Sequence, residues 1–125
     1  MSPNPNVDLE RLRGIALKLP EAAERSSHGS PGFFITKGRF FAYFWHDVHG
    51  DGETAVIVKT SGREEQAQLI EHDPDFYYSP PYLGPSGWVA MRVGALDTDW
   101  TRVGDRVAQS WEFVAPRRLL EAGGR

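Results

Sequence analysis

A polar loop of this 125-residue chain carries the residues best suited to bind a metal ion. His46, His49 and Asp51 lie within six residues of one another, and imidazole together with carboxylate is a common ligand set for divalent ions. The segment from Asp47 also begins like a calcium-binding loop, but Val58 stands where such a loop requires a bidentate Glu. Because a full ligand set is not visible, weak metal binding is one hypothesis, and a solvated hairpin loop is the other.

Sequence patterns that carry catalysis or nucleotide binding are absent from the chain. It has no cysteine, no G-x-S-x-G nucleophile elbow, no P-loop and no G-x-G-x-x-G. Its carboxylates do not lie in apolar runs of the kind that raise a carboxyl pKa for acid–base work. We therefore expect a protein that is not an enzyme and that has no cofactor.

Aromatic residues are the strongest signal in the sequence. Twelve of the fifteen lie in two clusters, over residues 33–45 and over residues 76–88 around a Pro-rich loop. In strict alternation, one face of the strand at 39–46 would carry Phe40, Ala42 and Phe44, and the other Phe41, Tyr43 and Trp45. Both faces are apolar, so the strand is either buried on both sides, as aromatic strands usually are, or presents an aromatic platform.

The Pro-rich loop suggests a binding site of its own. Residues 79–87 contain three Pro and two Gly, a composition that excludes regular secondary structure. Small-ligand sites are usually concave, largely apolar and equipped with a few polar groups. The residues that would form a small-ligand or protein-interaction site here are Tyr43, Trp45, Tyr82 and Trp88.

Basic residues give a third hypothesis, binding to nucleic acid. The formal net charge is −3, which supplies no global attraction to a polyanion, but five of the acids are concentrated in residues 64–75. Basic groups elsewhere could contact phosphates if the fold brought them together. The candidates are Lys37, Arg39, Arg92, Arg117 and Arg118.

The predicted elements form one α+β domain over residues 1–125, an antiparallel sheet of about five strands packed with three helices in the order α-βββ-α-ββ-α. Strands are predicted at 33–36, 39–46, 54–59, 76–79 and 88–93, and helices at 7–19, 61–72 and 99–114. The polar segment 21–32 is predicted to be a loop, residues 1–6 a flexible end, and residues 115–125 a terminal turn and tail.

Two of these helices carry specific signals. Ser61 and Glu64 have the spacing of a capping box, which predicts Ser61 as the N-cap and places Ala67 toward the core. The last helix has an apolar stripe at helical spacing, made by Trp100, Val103, Val107, Trp111 and Val114.

Three features of the sequence bear on the compartment of the protein. The N-terminal residues lack the basic and apolar regions of a signal peptide, and the apolar run 40–45 is far too short to span a bilayer. The absence of cysteine agrees with a reducing environment. We therefore expect a cytoplasmic protein with no membrane partner.

Four segments resemble motifs of the MmcQ/YjbR family. They are HGSPGF at 28–33, GRFFA at 38–42, SPPYLG at 79–84 followed by GWV at 87–89, and VAPRRL at 114–119. The resemblance covers about residues 8–120 and implies a CyaY-like α+β fold that has been compared with a double-wing motif. Since the family is commonly labelled DNA-binding, the resemblance implies a non-enzymatic DNA-binding domain and assigns no catalytic residues. Together with the five basic residues it makes DNA binding the leading hypothesis, and the small-ligand or protein-interaction site and weak metal binding are the alternatives.

Overall fold

The computed structural model describes residues 4–48 and 50–122 and has the predicted α+β architecture. Its elements are helix α1 (Pro5–Ala16), strands β1 (Ala22–Ser27), β2 (Ser30–Ile35), β3 (Phe40–His46) and β4 (Thr54–Val58), helix α2 (Arg63–His72), strand β5 (Tyr77–Tyr78), a 3₁₀ turn (Gly84–Ser86), strand β6 (Val89–Arg92), and helices α3 (Trp100–Val114) and α4 (Arg117–Glu121). All six strands pair antiparallel in the order β1-β2-β3-β4-β6-β5.

Strand β1 is the main difference from the predicted fold, because residues 21–32 were expected to be a loop. It pairs with β2 from Ala22 opposite Ile35 to Ser27 opposite Ser30. The two strands are joined by His28 and Gly29, whose φ angles of 52° and 83° are typical of a tight hairpin turn. An edge strand has only one neighbour in the sheet and tolerates polar residues, which is why the sequence AAERSS shows no strand pattern.

The N-terminal helix begins earlier than the predicted Val7. Asn4 is its N-cap, and its side-chain Oδ1 accepts a hydrogen bond from the Asn6 backbone N–H at 2.9 Å. Pro5 follows in the first turn, where its fixed φ favours a helix and its missing N–H removes no helical hydrogen bond. Residues 5 and 6 therefore belong to α1 rather than to a flexible end.

The main core lies between one face of the sheet and helices α1 and α3. The predicted stripe of α3 is confirmed, because Val103, Val107 and Trp111 are fully buried and Trp100 and Val114 pack against the same core. The Trp111 indole N–H donates a hydrogen bond to the carbonyl of Pro20 at 3.1 Å. This bond joins α3 to the segment that leads into β1.

Helix α2 is shifted by one residue from its predicted start. Gly62 is the N-cap, and the Glu65 carboxylate, rather than that of Glu64, accepts a hydrogen bond from the Ser61 N–H at 2.8 Å. One residue corresponds to about 100° of rotation in an α-helix. Accordingly Gln66 is the buried residue and Ala67 is exposed, so the inward orientation predicted for Ala67 is wrong.

No helix in the described ranges 4–48 and 50–122 combines the length and the apolar character that crossing a bilayer requires.

Candidate functional site

The second face of the sheet carries an aromatic surface. Its apolar cluster consists of strand and loop residues, with Ala55, Ile57 and Ala90 fully buried beneath rings that are only partly buried. Of the two alternatives in the sequence analysis, burial holds for the face toward the helices, whereas this face is a half-covered aromatic platform.

A β-bulge decides which rings reach this platform. Phe33 lies opposite Ala42, but Phe34 lies opposite Phe40, so β3 contains one extra residue at Phe41. As a result Phe41 is fully buried in the main core and Phe40 stacks on Tyr43. Strict alternation places Phe40 with Ala42 and Phe41 with Tyr43, and this prediction is wrong for both phenylalanines. The extra residue of the bulge exchanges the faces on which the two rings lie.

Four rings form a continuous row across the platform. The ring centroids of Phe34 and Phe40 are 5.4 Å apart, those of Phe40 and Tyr43 5.2 Å, and those of Tyr43 and Trp88 5.5 Å. Gly32 makes room for this row, because a Cβ atom there would lie 2.6 Å from a ring carbon of Phe40. The row therefore depends on a glycine as well as on the aromatic residues.

The Pro-rich loop, residues 79–87, is anchored at its C-terminal end and lies over one end of the platform. The side-chain amide of Gln66 donates hydrogen bonds to the carbonyls of Gly84 at 2.9 Å and Trp88 at 2.6 Å. The Thr60 hydroxyl donates to the carbonyl of Gly87 at 2.6 Å. These bonds fix the loop to the start of α2 without any regular secondary structure.

Tyr82 is the most unusual residue of this loop. Its backbone φ is +68°, in the left-handed region that residues other than glycine rarely adopt. The residue is also 84% exposed. A strained backbone of this kind persists only where its surroundings impose it, and it occurs preferentially at ligand sites. Two backbone hydrogen bonds span Tyr82 and supply that constraint: the Leu83 N–H donates to the Pro81 carbonyl at 2.7 Å, and the Gly84 N–H donates to the Pro80 carbonyl at 2.8 Å.

The platform, the Pro-rich loop and the β1–β2 hairpin enclose a cavity of about 490 Å³, which we call the aromatic pocket. Three of the four predicted ligand-site residues line it, and the fourth, Trp88, contacts Tyr43 in the ring row. The lining residues are Ser27, His28, Ser30, Tyr43, Trp45, Val48, Tyr82 and Leu83.

The side of the pocket formed by the β1–β2 hairpin differs from the prediction, which placed a loop over residues 21–32. Ser27, His28 and Ser30 were assigned to a loop, although the His-Gly pair at 28–29 has the form of a two-residue hairpin turn and could have indicated it. These residues place hydroxyl and imidazole groups at one edge of an otherwise apolar pocket. The arrangement therefore offers ring stacking on one side and hydrogen bonds on the other.

Tyr43 contributes a neutral hydroxyl to the site. Burial raises the pKa of its phenol above the ordinary value, and the nearby positive charge of Arg25 only partly opposes this. Among residues 4–48 and 50–122, those that line the pocket include no Asp, Glu, Lys or Arg. An uncharged ring or a weakly polar group can therefore enter without displacing an ion pair.

The predicted nucleic-acid residues do not converge on one surface. Arg118 pairs with Glu21 through two hydrogen bonds of 2.6 and 2.8 Å, and the Glu21 backbone carbonyl in turn accepts the Thr36 N–H at 2.8 Å. This arrangement places Arg118 near the turn that carries Lys37 and Arg39, both of which are exposed. The fold thus brings three of the five basic residues into one region.

The other two basic residues each form an ion pair, and only Arg92 lies in a distant part of the sheet. Arg117 pairs with Glu121 within α4 at 2.9 Å. Arg92 lies in β6, separated from β2 by two strands, where it pairs with Glu53 at 3.3 Å and stacks on Tyr78 at 4.4 Å from the ring centroid. The sequence-based set is therefore divided between two parts of the surface.

The hypothesis of a metal site involves a residue outside the described part of the chain, His49. Among residues 4–48 and 50–122, no group of three His, Cys, Asp or Glu side chains is arranged to hold a metal ion. His46 Nδ1 lies 2.8 Å from the Thr54 hydroxyl, and the Asp51 carboxylate accepts the Glu53 N–H at 2.9 Å. Weak metal binding at His46, His49 and Asp51 stays a prediction.

Comparisons with known proteins agree with this architecture. The family model described as YjbR matches residues 17–113, which is well over half of the chain. The crystal structure of Deinococcus radiodurans protein DR2400, with the family-model domain DUF419, is similar in fold, with a TM-score of 0.66 at 20% identity over 84% of this chain and 76% of that one. The curated proteins include no significant match.

Proposed function

Given that this chain belongs to the YjbR family, we propose that it is a non-enzymatic binding domain whose ligand is a small molecule with a planar ring, held in the aromatic pocket. The observation that carries the proposal is the position of Tyr82, an exposed ring on a left-handed backbone at the mouth of a cavity whose floor is also aromatic.

The dimensions and chemistry of the pocket support a small ligand. Its volume of about 490 Å³ falls within the range of sites for small molecules. Tyr43 and Trp45 form a floor on which a planar ring can stack, and Tyr82 can cover it from the loop side. The hydroxyls of Ser27 and Ser30 would orient polar substituents at the rim.

We expect a variant with Tyr82→Gly to bind planar-ring ligands about tenfold more weakly, because stacking on one ring contributes roughly 1–3 kcal/mol. Glycine accepts the left-handed backbone, so the variant removes the ring while preserving the loop. The measurement is a titration with indole, followed by amide chemical shifts in two-dimensional NMR. The shifts should cluster at Ser27, Trp45 and Tyr82.

The matched control for this titration is Leu96→Gly, which removes an 85% exposed apolar side chain outside the pocket. It should bind indole like the unmodified protein. Equal affinity of the Tyr82→Gly variant and this control, or shifts confined to another surface, would contradict the proposal.

DNA binding is a second candidate, favoured by the turn between β2 and β3. Lys37 and Arg39 are both exposed there, and neither forms an ion pair within the described residues. Two phosphate contacts of this kind give affinity that falls as salt rises. A duplex should therefore bind at low salt, and the double variant Lys37→Glu, Arg39→Glu should bind at least tenfold more weakly. The absence of binding at low salt would rule this candidate out.

A further inference from the structure

We infer that the ligand of the aromatic pocket is an anion, a planar ring that bears a carboxylate or a phosphate, and that Arg25 receives its negative charge. This inference rests on the proposed function and names the chemical class of its ligand. It is carried by the placement of Arg25 beside the pocket, by its surroundings, and by a pocket lining that contains no acid within the part of the chain that the structure describes.

Arg25 lies on the platform face, close to the pocket floor. It precedes the pocket residue Ser27 by two positions in β1, so the two side chains share a face of the sheet. The central carbon of its guanidinium is 4.9 Å from the ring centroid of Phe34 and 5.0 Å from that of Phe40. Since Phe40 stacks on Tyr43, one ring separates this cation from the floor.

The guanidinium of Arg25 has no acidic partner in the described ranges. Six other arginines form ion pairs there: Arg13, Arg92, Arg102, Arg106, Arg117 and Arg118. The neighbouring Glu24 points to the helix side, where both of its carboxylate oxygens accept hydrogen bonds from Arg13 at 2.8 Å. A ligand anion would therefore meet Arg25 without displacing a carboxylate.

Stacking also leaves Arg25 ready to bind an anion. Its guanidinium carries five N–H donors in a planar fork geometry that matches carboxylate and phosphate. Contact with two rings reduces the number of conformations that would have to be ordered on binding.

The three rings of the pocket could by themselves also surround a cationic group, because aromatic faces attract cations. A cation would, however, experience repulsion from Arg25 and find no carboxylate among the described residues that line the pocket. The charge of the site thus favours the anionic ligand over the cationic one.

The test uses three ligands that share one ring and differ in charge: indole-3-acetate, indole-3-acetamide and tryptamine. In calorimetric titrations of the full chain, the acetate should bind about tenfold more tightly than the amide, as a charge-assisted hydrogen bond predicts, and tryptamine most weakly. A fourth arm compares adenosine 5′-monophosphate with adenosine. A preference for the acetate points to aromatic acids, a preference for the monophosphate points to nucleotides, and either supports the inference.

Substitution then isolates the role of Arg25. The Arg25→Gln variant should lose the preference for the anion and keep the affinity for the amide, whereas Arg25→Lys should retain part of the preference. The matched control is Arg11→Gln, which removes another ring-stacked arginine, 5.7 Å from the centroid of Trp100 and outside the pocket lining. A thermal melt of each variant establishes that it is folded.

The outcomes separate this inference from the proposed function. Equal binding of acetate and amide, with no discrimination between monophosphate and adenosine, would overturn the inference and leave the pocket function intact. An anion preference that survives in Arg25→Gln would also overturn it. If none of these ring compounds binds at all, both proposals fail.

Discussion

Replacing Trp111 with alanine should lower the free energy of unfolding by about 4 kcal/mol, a large part of the stability of a typical domain. Trp111 has the largest of the fully buried side chains in the core, and alanine would leave a cavity where α3 packs on the sheet. The substitution also leaves the Pro20 carbonyl without its indole donor. Equilibrium unfolding in urea, followed by circular dichroism, measures the effect.

Two further variants separate the contributions to this loss. Trp111→Phe keeps a large ring and removes the indole N–H, so a loss of about 1–2 kcal/mol is expected. Phe113→Ala, on the same helix but 40% exposed, should have a much smaller effect than Trp111→Ala. If the alanine variants at 111 and 113 are equally stable, α3 does not anchor the core as described.

Replacing Gln66 with glutamate should destabilise the protein by about 3 kcal/mol at neutral pH. The substitution exchanges a buried amide that donates to two carbonyls for a carboxylate that can donate to neither. Burial and the facing carbonyl oxygens both disfavour the ionised form, so the pKa of the new carboxyl would lie above its unfolded value.

The sign of the pH dependence follows from that raised pKa. The unfolded state binds this proton more weakly than the folded state, so the part of the penalty that comes from ionisation is complete above the folded pKa and is lost below about pH 4, the ordinary range of Glu. A smaller penalty remains there, because the single O–H of a protonated carboxyl can donate to only one of the two carbonyls. Stability curves recorded across this window measure it. The control is Gln68→Glu, at an exposed position of α2. Identical profiles for the two variants would show that Gln66 does not hold the loop.

The same variant should also weaken indole binding, because Gln66 fixes the carbonyls of Gly84 and Trp88 on either side of the turn that follows Tyr82. Loss of these anchors frees the loop to leave the platform. Binding measured at acid pH, where stability recovers in part, should also recover in part.

Several features of this fold could be predicted from local sequence because local pattern alone determines them. The stripe of α3 has the helical period, and the run Ala55–Val58 belongs to a strand that is buried on both faces. The family resemblance, stated from four short motifs, agrees with the YjbR match. These patterns are correct because burial imposes the same periodicity on sequence and structure.

Features that depend on pairing could not be predicted in the same way. Strand β1 is polar and becomes a strand only because β2 offers it a partner. The bulge at Phe41 depends on the register between β2 and β3. The buried position of Gln66 depends on the N-cap of α2, which is Gly62 rather than the predicted Ser61. In each case a contact distant in sequence overrides the local pattern.

The candidate site was predicted only in part, because some of its residues depend on strand pairing. Tyr43, Trp45 and Tyr82 were recognised because aromatic residues are conspicuous in a sequence and the sheet brings their two clusters together. The polar wall from Ser27 to Ser30 and the cation at Arg25 depend on the unexpected hairpin. The basic residues are divided because their positions along the chain do not indicate that two strands separate β6, which carries Arg92, from β2.

The backbone at Tyr82 also bears on how this site can evolve. Selection for stability alone would favour glycine there, since glycine adopts a φ of +68° without steric conflict. The single substitution Tyr82→Gly would therefore remove the ring and raise the stability of the fold. Among related sequences, an aromatic residue at this position should mark pockets that retain a ligand, and glycine should mark those released from that function.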